Sequence, residues 1–341
     1  MGEPPPRQEY QAVKTLSSVR CSTWLLALAF IGSAQAFDLQ GHRGARGMAP
    51  ENTITGFRQA LAVGVTTLEL DVGVTLDGQV VIAHDPRLNP DLARDAAGAW
   101  ISAPGPALQT LTLAELQRFD IGRLKPGTRY AQTFAEQQPA DGERVPTLAS
   151  LFQMLQKAGV ANVRFNIETK LSPLTPELTP EPEVFARALL EVVQRHGMGQ
   201  RVTVQSFDWR TLRAMQRLAP ELPLAALTAR LPAIDNLSDA RWTAGLRLQD
   251  HGGSVPRLVK ALGAGTWSPF HGELTEAQLA EARILGLKVI PWTVNDPAQI
   301  ERLIGWGVDG LISDHPMRVR EVMARRGMAL PAAVSVPTPP R

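Results

Sequence analysis

Cysteine is nearly missing from this chain: Cys21 is the single one in 341 residues. One cysteine closes no disulfide within the chain, and it cannot build a cysteine-ligated zinc site. An excess of charge of either sign is missing too, with 35 Lys and Arg against 33 Asp and Glu. Proteins that track nucleic acid present a clear basic patch, and no cluster of Lys and Arg interleaved with aromatics occurs here, so nucleic acid is not an expected partner. Nor does the sequence repeat internally. The apolar run Trp24-Leu25-Leu26-Ala27-Leu28-Ala29-Phe30-Ile31-Gly32 falls well short of the ~20 residues needed to span a bilayer.

That run is informative for another reason. Arg20 precedes it, and small residues ending in Ala34-Gln35-Ala36 follow it. A basic flank, a short apolar core and an A-x-A ending read as a cleavable secretory signal peptide over residues 1–36; a buried N-terminal helix is the bland alternative. The expected location is therefore secreted or periplasmic. A lipoprotein cysteine would follow the run, whereas Cys21 precedes it, so no stable membrane anchor is expected. Cleavage after Ala36 leaves a chain with no thiol to act as nucleophile.

From Phe37 onward, strand-like and helix-like stretches alternate. Strands are expected at Leu39 to His42, Thr67 to Val72, Val80 to His84, Val163 to Glu168, Val202 to Ser206, Leu222 to Leu227, Lys288 to Val294 and Gly310 to Ser313. Helical patterns fall at Thr53 to Val63, Thr147 to Lys157, Pro182 to His196, Trp209 to Leu218, Thr275 to Leu285 and Pro297 to Trp306. Such alternation predicts an α/β fold on a mostly parallel sheet, either open or closed into a barrel. Residues 86–145 break the rhythm, with several prolines and glycines and one convincing helix at Thr112 to Phe119. They read as an insertion after an early strand, over one end of the sheet. The catalytic domain is expected over residues 37–326. The tail 327–341, rich in Ala, Pro and Val, is expected to be disordered.

Carboxylates supply the strongest chemical signal. In Leu68-Glu69-Leu70-Asp71-Val72 the apolar residues share one face of a strand, and Glu69 and Asp71 share the other. Two acids side by side in a core strand repel each other, and a bound cation relieves both the repulsion and the cost of burial. An acidic edge strand facing solvent would read the same way. A second strand, Val163 to Glu168, again carries a polar row that ends in a carboxylate, with Lys170 two residues on. Of the six histidines, His42 and His84 sit at expected strand ends, where acid–base chemistry near neutral pH would use them. Taken singly, each reads better as a structural histidine.

Read as a set, Gly41-His42-Arg43-Gly44, Pro50-Glu51-Asn52-Thr53, Glu69-Leu70-Asp71-Val72 and His84-Asp85 resemble the opening signature of glycerophosphodiester phosphodiesterases. The resemblance continues through Val145-Pro146-Thr147-Leu148, Asn166-Ile167-Glu168-Thr169-Lys170 and Gln205-Ser206-Phe207. It closes with Trp292-Thr293-Val294-Asn295 and the run Gly307 to Pro316. Residues 228–265 match less clearly, so one barrel strand and helix there are left unplaced.

The resemblance implies a (β/α)8 TIM barrel, with one divalent cation, Ca²⁺ or Mg²⁺, held by Glu69, Asp71 and Glu168. It implies His42 and His84 as the acid–base pair acting on a small glycerophosphodiester, with a neighbouring glycerol hydroxyl as the first attacker. Arg43 and Lys170 suit the phosphate, Arg43 as a planar fork and Lys170 as a point charge. Glu51 would order the first loop or reach a substrate hydroxyl, and Phe207 with Trp292 would wall the glycerol, if they are not plain packing. Head group, native cation, oligomeric state and the part played by the insertion stay open at this level. The rivals are a membrane-acting phosphodiesterase on a related barrel and a catalytically silent barrel.

Overall fold

Eight parallel strands, each followed by a helix, wrap into a nearly closed barrel in the computed structural model, which describes residues 1–9 and 36–337. The expected signal segment falls largely on residues 10–35, outside the described residues. The strands are β1 Asp38–Gly41, β2 Thr67–Val74, β3 Arg164–Thr169, β4 Val202–Ser206, β5 Leu224–Thr228, β6 Thr266–Pro269, β7 Lys288–Val289 and β8 Gly310–Ser313. The helices between and after them are α1 Ile54–Val63, α2 Leu148–Lys157, α3 Pro182–Arg195, α4 Trp209–Leu218, α5 Val255–Leu262, α6 Glu276–Ile284, α7 Pro297–Trp306 and α8 Pro316–Arg325. Neighbours in the sheet run β7-β6-β5-β4-β3-β2-β1-β8. The seam between the β7 segment and β8 is drawn together by Asp309 N–H to Val289 O at 3.0 Å, Ile312 N–H to Pro291 O at 3.1 Å and Val294 N–H to Ile312 O at 2.9 Å. The expected (β/α)8 TIM barrel is the observed architecture.

Local chemistry explains where the helices begin. Thr53, Thr147 and Asp296 each accept a hydrogen bond from a first-turn N–H, and Thr275 with Gln278 forms a reciprocal capping box. Between strands and helices, the outward faces of the strands pack on the inward faces of the helices. Leu68, Leu70, Phe165, Ile167, Phe57, Phe152 and Phe185 are fully buried there, each worth about 1.5–3 kcal/mol against exposure.

The structure corrects four expectations. Val80 to His84 is not a barrel strand: Val80–Ile82 pairs antiparallel with β2, because the short Asp77-Gly78 turn between them allows only a hairpin. His84 lies two residues beyond that pairing. The barrel strand left unplaced is β6, reached through α5, and it is only four residues long and ends on Pro269. Regular pairing in the Lys288 to Val294 segment stops at Val289, and Pro291 has no N–H to continue it. Lastly, residues 328–336 are not a free tail: Met328, Val334 and Val336 pack against the core, and Val334 N–H bonds to Leu61 O at 2.8 Å.

The insertion carries two short helices, Leu113–Leu116 and Arg129–Thr133. Val81, Leu88, Ala93, Leu108, Leu116 and Val145 give it a small core of its own.

Candidate active site

At the C-terminal ends of the strands, where barrels of this type carry their chemistry, the structure brings the sequence-derived residues together. Parallel pairing of β2 with β3 sets Glu69 beside Asn166 and Asp71 beside Glu168. One carboxylate oxygen from each of Glu69, Asp71 and Glu168 lies within 4.8 Å of the other two, and all three residues are buried. Asp71 Oδ1 is buried with no hydrogen-bond partner. An orphaned acceptor inside an all-oxygen trio fits a cation, because a buried polar atom without a partner is costly.

The electrostatics agree. Burial, then Asp71, pushes the Glu69 carboxyl well up. Burial likewise raises Glu168 to about 7, against the downward pull of Lys170. Asp71 moves the other way: burial opposes its charge, but His84, Arg43 and Lys170 outweigh it and hold the carboxyl below the usual range. Three acids crowded this closely do not share their charge comfortably unless something positive joins them.

Glycine makes the first loop possible. A Cβ on Gly41 would stand 2.2 Å from Gly44 O, and Gly44 has φ +88° with Gly56 backbone 2.7 Å from where its Cβ would be. Between these glycines, Arg43 itself takes φ +50°, and Asn52 takes φ +54°. Left-handed backbone at a branched or long side chain costs roughly 1–2 kcal/mol and is stabilised here by specific bonds. Arg43 N–H donates to Glu69 Oε2 at 2.9 Å, Asn52 N–H to Arg43 O at 2.9 Å, and Asn52 Nδ2 to Asp71 Oδ2 at 2.9 Å.

Each histidine is oriented by an aspartate. His42 Nδ1 is 2.6 Å from Asp314 Oδ1, and Asp314 is gripped by Arg46 at 2.8 and 3.2 Å and by Asn295 Nδ2 at 2.6 Å. His84 Nδ1 is 2.7 Å from Asp85 Oδ1, and Asn89 Nδ2 holds the other oxygen at 3.0 Å. A carboxylate on Nδ1 fixes the proton there and leaves Nε2 facing the cavity. His42 Nε2 lies 3.9 Å from Glu69 Oε2, and His84 Nε2 accepts from Lys170 Nζ at 3.0 Å. Lys170 also donates to Glu168 Oε1 at 2.7 Å. Burial and then Arg46 lower the His42 ring to about 4 despite Asp314, and burial, Arg43 and Lys170 lower that of His84. Both rings rest neutral at pH 7.

The cavity enclosed by these groups measures about 140 Å³. Arg43, Arg46 and Lys170 line it with the two histidines, and Phe207 and Trp292 form an apolar wall, ring edge to ring face at 5.2 Å. Glu51 does not line it. One of its oxygens takes Arg43 Nη1 at 2.7 Å and the other takes the Tyr130 hydroxyl, so Glu51 holds the first loop in place. A larger groove between α3 and α4, lined by Pro182, Arg213 and Arg217, is far richer in volume but holds none of this chemistry.

Several contributors were not singled out from the sequence: Arg46, Asn52, Asp85, Gln205, Asn295, Asp314 and Tyr130. Most stand inside the quoted motifs, so their position was visible and their task was not. Tyr130 comes from the insertion and had no signal at all.

Against known proteins, residues 42–318 match the model of the glycerophosphoryl diester phosphodiesterase family. A glycerophosphodiester phosphodiesterase of Caldanaerobacter subterraneus is 28% identical over 84% of this chain and 97% of its own. A crystal structure from Silicibacter pomeroyi, of a protein named as a candidate glycerophosphoryl diester phosphodiesterase, is 33% identical with a TM-score of 0.78, covering 88% of this chain and 97% of that one. An Oleispira antarctica phosphodiesterase solved with the product sn-glycerol-3-phosphate shares the fold at 22% identity and a TM-score of 0.61, over 84% and 96% of the two chains.

Proposed function

The chain belongs to the glycerophosphoryl diester phosphodiesterase family and is a phosphoric diester hydrolase; we propose that it cleaves small glycerophosphodiesters to an alcohol and glycerol 3-phosphate. The observation that carries this reading is the meeting of Glu69, Asp71 and Glu168 at a cavity that His42 and His84 also face. Oxygen donors alone favour a hard cation, Ca²⁺ or Mg²⁺. When bound, that cation supplies positive charge where negative charge develops on the phosphoryl oxygens.

The chain's own groups do the rest. Arg43 and Lys170 add positive charge around the diester from the cavity wall. One neutral imidazole takes the proton from the attacking hydroxyl at Nε2, while the other, having first taken up a proton from solvent at its own Nε2, delivers it to the leaving oxygen. Asp314 and Asp85 keep both rings turned with Nε2 inward and stabilise each as it becomes charged. The Phe207–Trp292 wall offers apolar surface to the glycerol carbons. The cavity's small volume favours water-soluble diesters over intact phospholipids.

The test is turnover of glycerophosphocholine, glycerophosphoethanolamine and intact phospholipid by protein stripped with EDTA, before and after Ca²⁺ or Mg²⁺ is restored. Release of the alcohol from the soluble diesters only, and only with cation, is expected. An unchanged rate after stripping defeats the cation assignment, and phospholipid as the preferred substrate defeats the substrate assignment.

A further inference from the structure

The inside of this barrel is not filled with the usual branched apolar side chains. A line of amides runs down it. Gln205 Nε2 donates to Glu69 Oε1 at 2.6 Å, and Gln205 Oε1 accepts from Asn166 Nδ2 at 2.9 Å. The same Asn166 amide donates to Gln40 Oε1 at 2.8 Å, and Gln40 Nε2 donates to Asp38 Oδ2 at 2.9 Å. Asp38 is fixed in turn by Arg164 Nη2 at 2.9 Å and by the Thr66 and Thr67 hydroxyls at 2.7 and 2.6 Å. The line thus reaches from the carboxylate cluster to the N-terminal end of the strands.

Its direction is forced. Asp38 offers only acceptors, so Gln40 must present its amide nitrogen downward and its oxygen upward. Asn166 must then spend both of its hydrogens, one on each glutamine. Gln205 is left with its oxygen toward Asn166 and its nitrogen toward Glu69. The arrangement leaves Asn166 Oδ1 buried with no partner, a cost that reversing Asn166 alone would replace with oxygen facing oxygen at two places. Packing does not hold these side chains from below, since a cavity of about 150 Å³ bordered by Asp38, Gln40, Thr67, Asn166 and Ser268 opens there. Hydrogen bonds are what keep them in register.

We propose that Gln205, Asn166 and Gln40 are positioning residues that fix the Glu69 carboxylate for cation binding, with Asp38 setting their direction from the opposite end of the barrel. This rests on the cation reading of the cluster. An N–H delivered to Oε1, together with Arg43 N–H on Oε2, holds both Glu69 oxygens, one of them within 4.8 Å of a carboxylate oxygen of Asp71 and of Glu168. Partners of metal ligands that act in this way are typically worth roughly 10- to 100-fold in affinity.

Cation affinity, measured by calorimetric titration of the full stripped chain with Ca²⁺ and with Mg²⁺ in the absence of substrate, separates positioning from mere filling. Asn166→Leu is expected to weaken binding roughly tenfold or more. Gln40→Met, which touches no acid of the cluster, is expected to weaken it several-fold. Asp38→Asn, at the barrel's rim, releases the direction of the line and is expected to do the same without emptying the interior. If the folded variants lose thermal stability yet bind cation within twofold of the parent, the amides only fill space and the inference is overturned. If the parent itself binds neither cation, the cluster reading fails first and takes this one with it.

Discussion

The two histidines face one cavity but are held in different ways. Asp314, 272 residues away, reaches His42 across the parallel β1–β8 pairing, each one residue beyond the paired Gly41 and Ser313, and its second oxygen is fixed by Arg46 and Asn295. Its side chain is only 2% exposed. His84 leans on its sequence neighbour Asp85, whose side chain is 39% exposed, and on the far side it meets Lys170, which also binds Glu168. The His42 arm is rigid and closed, built from three separate segments: the loop after β1 that carries His42 and Arg46, the stretch before α7 that carries Asn295, and the end of β8 that leads to Asp314. The His84 arm is local, partly wet, and wired through one lysine to the carboxylate cluster. Rings with the same tautomer can therefore respond very differently when their supports are changed.

Substitutions at the two arms give the largest effect. His42→Ala and His84→Ala should each lower turnover by roughly 10²–10⁴-fold, the scale of general acid–base catalysis, with the fold intact by circular dichroism. The supports should then part company. Asp314→Asn leaves a buried ring without its carboxylate and should cost roughly 10²-fold or more in turnover, whereas water can reach His84 Nδ1 in Asp85→Asn, where roughly tenfold is expected. Equal losses from the two asparagine variants would mean that burial of the support does not matter and that the contrast between the arms is empty.

Next in size is a pH effect centred on the carboxylate cluster. In the cation-free chain burial raises Glu168 to about 7 from 4.5, so between those values this carboxyl is largely protonated. An incoming cation must displace that proton, and it competes less well as pH falls. Affinity should drop by at least about tenfold per unit below pH 7, since the raised Glu69 carboxyl of the same cluster also gives up a proton, with protons released on binding. Calorimetry in two buffers of different ionisation enthalpy measures the release directly. A pH-independent affinity between 5 and 7 would show that Glu168 is already ionised and that Lys170, not burial, governs this arm.

The difference between the arms also marks how far the sequence can be read. Glu69, Asp71 and Glu168 were legible because strand alternation is local: residues two apart share a face whatever the rest of the chain does. Asp85 was adjacent to its histidine, and only the hydrogen bond was missing. Asp314 stood in a recognisable motif, but nothing in its neighbourhood says that His42 is its partner. The strand β6 escaped notice because four residues ending in proline give too short a period to detect, and the hairpin Val80–Ile82 was taken for a barrel strand because pairing direction does not show in composition. Local periodicity carries the acids; tertiary closure carries the supports.

Tyr130 is where that argument predicts the smallest effect. It comes from the insertion, 79 residues from Glu51, and its hydroxyl bonds to Glu51 and, at 3.3 Å, to Arg46 Nη1. Burial and the Glu51 charge keep the phenol protonated, so it serves as a donor. Phe134 stacks on Arg46 at 4.6 Å, and Gln137 Nε2 and Gln138 N–H bond to the backbone of Arg46 and Met48 at 2.7 and 2.9 Å. None of the residues lining the catalytic cavity belongs to 86–145. The insertion thus braces the loop behind His42 without adding a side chain to that cavity's lining. Glu51 keeps Arg43, and Arg46 keeps Asp314, when the hydroxyl is gone. Tyr130→Phe should therefore cost about 1.5–3 kcal/mol of stability, the worth of a buried hydrogen bond to a charged group. Turnover should fall less than about tenfold, with no change in preference between small and bulky diesters. A shift in that preference would put the insertion over the substrate, and a turnover loss as deep as that of Asp314→Asn would make it part of the rigid arm.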